Sequence, residues 1–342
     1  MTNATPDPAV IQIVRDPLWF ADRYDPGHDA VHFRRLPREL HRAATFLTDE
    51  YLPAGDPPQI IRRRDAMAAG AAQAPLHFIF HSAFCCSTLL ARAFDAPGVA
   101  MGLKEPVLLN DLIGWSHRGG TARDIAPVLD DALALLSRPF GPGEAVVIKP
   151  SNVTNGLAPG MLTMRPDARA LLLHAPLPVY LSSIAKKGMT GRLWVRELLV
   201  KQLREGLHPF GYSGEEYIGH TDLQAAAMGW LAQQALFARM VTQFPGRVRT
   251  CDSERLMADP AASLAALAAL FAVPLDFEAV VGGLAFTTHS KSGADFSSAA
   301  RNAEISDAAD IHADEIAKVT VWTETVAESA GVPMTLPAGL LD

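Results

Sequence analysis

The sequence contains little cysteine, with only Cys85, Cys86 and Cys251 in 342 residues. Small secreted domains stabilised by disulfides are much richer in cysteine, and structural zinc sites place cysteine and histidine at short, fixed spacings. Neither pattern is present, so we expect no disulfide framework and no metal site. Free cysteine is usually a small buried hydrophobe, and we expect the Cys85-Cys86 pair to pack within a loop.

Long hydrophobic runs are absent as well. The most apolar stretch, Ala261–Leu275, is interrupted by Ser263 and Pro274 and is too short to span a bilayer. The N-terminal residues Met1–Pro26 lack the basic start and apolar core of a secretory signal. We therefore expect a cytoplasmic protein that does not associate with membranes.

The chain has no excess of basic residues, since 30 Lys and Arg face 37 Asp and Glu for a net charge of −7. A nucleic-acid groove normally shows a basic excess or a basic stripe, so we expect no nucleic-acid partner. The basic residues fall in short groups such as Arg62–Arg64, which suits a small anion better. With 49% hydrophobic residues, the chain is long enough to form a globular core of one large domain or two ordinary ones. The oligomeric state has no signal in the sequence.

Short apolar runs alternate with helical stretches after residue 74. This alternation predicts an α/β fold in three layers, with a mainly parallel central sheet of about five strands between helices. We expect that domain to span residues 75–342 and residues 1–74 to form an N-terminal extension packed on it, with a strand at Val10–Val14 and a helix at Arg38–Tyr51. The five predicted strands of the sheet are Leu76–Phe80, Val99–Leu103, Ala145–Ile148, Ala170–Leu173 and Arg247–Cys251.

The first of these strands leads into a loop of mostly small residues and then a helix. Backbone N–H groups at such a helix start, together with the helix dipole, bind anions well. An ordinary turn in which Ser87 caps the helix is the alternative. An ATP- or GTP-binding loop would need two glycines and a lysine at fixed positions, and neither possible register supplies them, so a nucleotide-dependent kinase is the less favoured function. The loop residues are Ser82, Ala83, Phe84, Cys85, Cys86, Ser87 and Thr88.

Three further segments follow predicted strands. Lys104-Glu105 follows the second strand, and the spacing Pro176 to Ser182 follows the fourth. The segment Asp252–Pro260 follows the fifth and leads to a helix ending in Phe271-Ala272-Val273-Pro274. In this order, together with the loop, they resemble the sulfotransferases that use 3′-phosphoadenosine 5′-phosphosulfate (PAPS) as donor. The resemblance covers about residues 76–301 and implies a P-loop-like α/β fold.

The resemblance implies transfer of a sulfuryl group from PAPS to a hydroxyl or amine of a small-molecule or glycan acceptor, without a metal. Residues 82–88 would then hold the 5′-phosphosulfate. Glu105 would be the catalytic base, with a surface or helix-capping role as the alternative, and Lys104 would assist the sulfuryl oxygens. The remaining candidates are His81 as the second choice of base, His174 and Ser182 at the 3′-phosphate, Lys149 at the substrate, and Lys291 and Arg301 in a loop over the nucleotide.

Two departures from the family pattern weaken the donor site. His81 and His174 stand where the family has arginine or lysine, and histidine is mostly neutral near pH 7. A second hypothesis follows from this difference: an inactive, sulfotransferase-like binding protein that keeps the fold without the reaction. For Lys149 and Lys291 the alternatives are a solvated lysine at a strand end and a polar linker.

Overall fold

The computed structural model describes residues 7–287 and 311–342, and Lys291 and Arg301 lie outside the described residues. The first part of the chain forms a small antiparallel sheet of β1 (Trp19–Asp25), β2 (Ala30–Arg35) and β3 (Gln59–Arg62), in the order β1-β2-β3. The sequence did not predict this sheet, because its strands mix polar and apolar residues without a clean alternation.

The predicted strand at Val10–Val14 is wrong, because these residues lie in a helix, α1 (Pro8–Arg15). The Asp7 carboxylate accepts a hydrogen bond from the Ala9 backbone N–H, and Pro8 occupies the first turn, which are two standard signals of a helix start. The predicted helix from Arg38 is shorter than expected: α2 covers only Arg38–Ala43, because the backbone becomes extended at Ala44. Helix α3 (Arg63–Ala69) follows the small sheet.

The central sheet has five parallel strands, which confirms the predicted α/β class and strand number. The hydrogen-bonded order is β5-β6-β4-β7-β8, so the strand that precedes the predicted anion loop is the middle one. Every residue of β4, β5, β6 and β7 is buried, as expected for strands covered on both faces. The strands are β4 (Leu76–His81), β5 (Ala100–Lys104), β6 (Ala145–Lys149), β7 (Ala170–His174) and β8 (Val248–Asp252).

Helices connect these strands, as the alternation of apolar runs and helical stretches predicted. The anion-loop helix is α4 (Ser87–Phe94). Between β5 and β7 lie α5 (Val107–His117), α6 (Ala122–Leu136), a 3-10 helix (Asn152–Leu157) and α7 (Ala158–Met164). After β7 come α8 (Leu177–Lys186), α9 (Gly188–Arg204), α10 (Gly214–Gly219) and α11 (Asp222–Gln243). After β8 come α12 (Ser253–Ala258), α13 (Pro260–Phe271), α14 (Phe277–Val281), α15 (Leu284–Thr287) and, following the undescribed segment, a helix that we number α16 (Ala313–Ala330).

The chain forms two compact units. The first contains the chain up to Ile79, then Thr88–Arg169 and Phe271–Leu275. The second contains Phe80–Ser87, Ala170–Leu270 and the chain from Asp276 onward. The boundary expected near residue 74 stays a prediction, and the first unit includes residues on both sides of it.

In the second unit, the C-terminal segment runs along the outer edge of β8. The Thr250 N–H donates to the Ala338 carbonyl (2.9 Å), and the Leu340 N–H donates to the Thr250 carbonyl (2.8 Å). The segment thereby satisfies backbone groups that an open sheet edge would leave unpaired. Separately, no helix within residues 7–287 and 311–342 is long and apolar enough to cross a membrane.

Candidate functional site

The loop between β4 and α4 adopts a backbone conformation that side chains rarely permit. Ala83, Phe84 and Cys86 have φ angles of 72°, 52° and 62°, although none of them is glycine. The left-handed region costs a residue with a side chain roughly 1–2 kcal/mol. Left-handed residues in a turn redirect successive backbone N–H groups and can make an anion-binding concavity, and in this loop Ala83 and Phe84 are consecutive left-handed residues. Strain of this kind marks functional segments more often than ordinary turns.

The His81 ring stabilises this loop by accepting a hydrogen bond from its backbone. The Ala83 backbone N–H donates to His81 Nδ1 over 3.0 Å, and the ring is almost completely buried. A neutral imidazole that accepts at Nδ1 carries its proton on Nε2, so neither nitrogen is available to take a proton from an acceptor. The structure therefore gives His81 a positioning role in the loop and does not support its role as the second candidate base.

Two other side chains fasten the loop to the end of β7. The Ser82 hydroxyl accepts from the Ala175 N–H and donates to the Ala83 carbonyl, both over 3.2 Å. The Cys85 thiol donates to the Leu173 carbonyl over 3.5 Å and is buried, which fits the packing role predicted for it. Ser82 and Cys85 therefore stabilise the loop through hydrogen bonds within the chain.

Phe84 projects from the loop into an aromatic cluster of the second unit. Its ring meets the rings of Tyr180 and Trp194 edge to face, at centroid distances of 5.8 and 5.5 Å. The Lys187 ammonium lies 5.7 Å from the centre of the same ring. These contacts offset part of the backbone strain at Phe84, because edge-to-face aromatic pairs contribute about 0.5–1.5 kcal/mol each.

Two charged side chains pair at the carboxyl ends of β5 and β6 in the first unit. Lys149 and Glu105 form an ion pair, and the Glu105 N–H donates to the Lys149 carbonyl over 2.7 Å. The Lys149 side chain is 1% exposed and Glu105 is 17% exposed, so the carboxylate is the member that solvent and small molecules reach. Glu105 also has a positive φ of 55°, the same strained region as the loop.

Lys104 does not reach the surface where Glu105 lies. Its side chain is fully buried, and its ammonium donates to the backbone carbonyls of His41 (2.9 Å) and Arg42 (2.8 Å). Burial lowers the Lys104 pKa to about 8, against the opposing effect of Asp95. This arrangement does not support the predicted contact between Lys104 and sulfuryl oxygens, because the ammonium is bonded to carbonyls of the N-terminal segment, and the contact stays a prediction.

That N-terminal segment supplies two residues that the sequence analysis missed. The Lys149 ammonium lies 4.9 Å from the centre of the Phe46 ring. The Tyr51 ring contacts the Phe46 ring edge to face, with a centroid distance of 5.2 Å. Burial raises the Tyr51 pKa, and the carboxylates of Glu50 and Glu105 raise it further. No motif marks these residues, because only long-range backbone bonds such as Leu47 N–H to the Lys104 carbonyl (2.7 Å) bring them to the site.

The two residues expected at the 3′-phosphate are poorly suited to an anion. His174, at the end of β7, is 7% exposed, and burial lowers its pKa while Asp252 on the paired strand opposes that shift. The ring is therefore neutral at pH 7 and adjoins a carboxylate. The Ser182 hydroxyl is buried and donates to the Pro178 carbonyl within its own helix (2.8 Å). Of the other expected donor residues, Lys291 and Arg301 are outside the described residues.

The remaining predicted donor residues, Ser87 and Thr88, begin α4 and are buried at 6% exposure each. Their position at the helix start matches the expectation for anion-binding hydroxyls. In the part of the chain that the structure describes, no cluster of three histidine, cysteine or acidic residues could hold a metal ion.

Comparisons with known proteins gave matches in structure but not in sequence. No family model matches the chain, and no curated protein matches it. Among solved structures, the sulfotransferase domain from the Synechococcus PCC 7002 olefin synthase is similar at 14% identity and a TM-score of 0.42, over 77% of this chain and 97% of that domain. The sulfotransferase domain from the curacin biosynthetic pathway is similar at 15% identity and a TM-score of 0.41, over 78% of this chain and all of that domain. At these values the likeness carries no argument about the reaction.

Proposed function

We propose that this protein is a sulfotransferase that moves a sulfuryl group from PAPS to a hydroxyl or amine of a small-molecule or glycan acceptor. The observation that carries the proposal is the strained loop after β4, in which Ala83, Phe84 and Cys86 all have positive φ. Backbone strain of this kind concentrates in binding and catalytic segments, which supports a loop that presents backbone N–H groups to the 5′-phosphosulfate.

The loop would act mainly through its backbone. N–H groups that are fixed before the donor binds stabilise developing charge without having to reorganise during the reaction. His81, Ser82 and Cys85 fix the loop through their hydrogen bonds. Ser87 and Thr88 would add hydroxyl donors at the N-terminus of α4, where the helix dipole favours an anion.

Glu105 is proposed as the base. In the reaction the acceptor oxygen or nitrogen attacks sulfur in line, a new bond to sulfur forms, and the bond from sulfur to the 5′-phosphate oxygen breaks. The acceptor proton passes to Glu105, and 3′-phosphoadenosine 5′-phosphate leaves with the electron pair of the broken bond. Lys149 would hold the carboxylate in place through the ion pair, which is the role that its burial supports in place of direct substrate contact. The aromatic pair Phe46 and Tyr51 supports an acceptor with an apolar part near its reacting group.

The second candidate function is a binding protein that keeps the fold without catalysis. It is favoured by one observation, the unsuitable environment of His174 and Ser182 for the 3′-phosphate. Under this hypothesis the loop still binds a small anion, but its affinity for PAPS is no higher than its affinity for simpler anions.

Calorimetric titration with 3′-phosphoadenosine 5′-phosphate separates these functions, with ATP and magnesium as the comparison ligand. We expect binding of the first compound only, at micromolar Kd, and a rise in Kd of about tenfold in the double variant Ser87→Ala/Thr88→Val, which removes two hydrogen bonds to an anion. Ser183→Ala is the matched control, because that hydroxyl donates to the Val179 carbonyl within α8. Equal affinity for inorganic sulfate would support the binding protein, and selective binding of ATP with magnesium would contradict both functions.

A further inference from the structure

A cavity of about 380 Å³ lies within the second unit, beyond the carboxyl ends of β7 and β8. The inner residues include the end of β7, the buried Trp230 of α11 and Leu177. The far wall is built by the C-terminal segment from Met334 to Asp342, which the Thr250 backbone bonds hold in place. No step of the proposed sulfuryl transfer uses this cavity.

Two residues that line the cavity each carry a buried polar atom with no hydrogen-bond partner among the described residues. These atoms are Nδ1 of His174 and Oγ1 of Thr320. The His174 residue as a whole is 7% exposed, so solvent does not satisfy it freely. Buried polar atoms are normally hydrogen-bonded, and an unsatisfied one costs about 1–3 kcal/mol. The nearby indole N–H of Trp230 already donates to the Ala175 carbonyl over 2.8 Å.

The charged residues lining the cavity are mostly acidic. Asp252, Glu324 and Asp342 contribute carboxylates, against the single guanidinium of Arg255. That guanidinium is paired with Asp342 over 3.0 Å, so these two charges offset each other and the carboxylates of Asp252 and Glu324 leave the lining negative. A phosphate or sulfate would meet net repulsion here, whereas an ammonium group would be attracted.

We propose that this cavity binds a small organic amine, with its ammonium beside the carboxylate of Glu324 and its polar end hydrogen-bonded to His174 and Thr320. The apolar body of the ligand then packs against Leu177, Trp230 and Leu336. A neutral polar end suits His174, because a neutral imidazole both donates and accepts. This site goes beyond the proposed sulfuryl transfer and does not depend on it.

Three para-substituted phenols test the charge preference on the full chain by calorimetric titration: tyramine, which carries an ammonium, p-cresol, which is neutral, and 4-hydroxyphenylacetate, which carries a carboxylate. We expect tyramine to bind with a Kd about tenfold below that of p-cresol, and no measurable binding of the carboxylate. The tyramine affinity should fall as salt is raised, because exposed charges are screened. Equal binding of the three phenols, or no binding of tyramine, overturns the proposal.

Substitutions in the cavity lining test whether tyramine binds in this cavity. Glu324→Gln should raise the Kd for tyramine about threefold to fivefold, as expected for an exposed charge, and the Glu324→Gln/Asp342→Asn double variant should raise it further. Glu328→Gln is the matched control: it makes the same change one turn along α16, outside the cavity lining. Thr320→Val tests the hydroxyl at constant shape. An equal effect of Glu324→Gln and Glu328→Gln on the Kd for tyramine would mean that tyramine binds outside this cavity, and it would overturn the proposal. Binding of 3′-phosphoadenosine 5′-phosphate should be unchanged in all of these variants, so the two proposals fail separately.

Discussion

Glu105 and Lys149 form an ion pair across the ends of two neighbouring strands, and they share a backbone hydrogen bond as well as a charge interaction. Lys104 and Lys149 are opposite each other in the strand register, so Glu105 lies one residue beyond the last paired position. Glu105 has a positive φ of 55°, and its carboxylate contacts Lys149 on the neighbouring strand. The lysine is buried and the glutamate is partly exposed, so the carboxylate is the member of the pair that a small molecule can reach.

Glu105→Gln should lower the rate of sulfuryl transfer about 10²- to 10⁴-fold, the usual contribution of a general base, without changing the Kd for 3′-phosphoadenosine 5′-phosphate.

Lys149→Met should destabilise the protein by about 1–3 kcal/mol, because it removes the charged hydrogen-bond partner of Glu105. A double-mutant cycle in chemical denaturation measures the coupling between the two side chains. A Glu105→Gln variant with wild-type turnover would remove Glu105 from the mechanism.

Ala83→Gly tests the strain in the anion loop. Glycine relieves the left-handed penalty of about 1–2 kcal/mol but adds entropy to the unfolded chain, so we expect a net gain in stability of about 0.5–1 kcal/mol. Ala269→Gly, at an exposed position within α13, is the opposite control and should cost about 1 kcal/mol. Thermal or urea denaturation distinguishes the two directions. If both substitutions destabilise equally, Ala83 is not strained.

His41 should make the protein sensitive to acid. The ring is buried between Phe20 and Phe140, neither ring nitrogen has a partner among the described residues, and burial lowers the His41 pKa to about 3. The unfolded chain takes up the proton near pH 6.5, so the stability contribution is present above that pH and is lost as the pH falls toward 3.

His41→Phe should therefore leave stability at pH 7 within about 1 kcal/mol and raise it relative to wild type by on the order of 3 kcal/mol at pH 4. The free energy of unfolding, measured from pH 7 to pH 4, checks this expectation. The same loss of stability in the variant and the wild type would mean that other groups carry the acid sensitivity.

Lys104 should make the stability of the protein depend on pH in the alkaline range. Its pKa of about 8 in the folded protein lies below the ordinary value of 10.5, so its contribution to stability is fully present above pH 10.5 and is lost as the pH falls through 8. Lys104→Met should flatten this rise between pH 8 and pH 10.5 and cost about 1–3 kcal/mol at pH 7, because two carbonyls lose their donor. The affinity for 3′-phosphoadenosine 5′-phosphate should not change. A loss of this affinity would indicate that Lys104 contacts the donor.

The central sheet and its connecting helices were predictable because they depend on local composition. Strands buried on both faces are short apolar runs whatever surrounds them, and all five were found within one or two residues of their ends. The N-terminal sheet was not predictable, because its strands alternate irregularly and α1 contains an apolar run that resembles a strand.

The candidate site divides in the same way. The sequence by itself determined that a loop of small residues joins a strand to a helix, and that Glu105 and Lys149 follow strands. Only the tertiary structure decided that Lys149, and not Lys104, accompanies Glu105, because the ammonium of Lys104 is bound by carbonyls 62 and 63 residues away in the chain. The acidic surroundings of His174 were decided in the same manner, because Asp252 reaches it only through the pairing of two strands that are far apart in the chain.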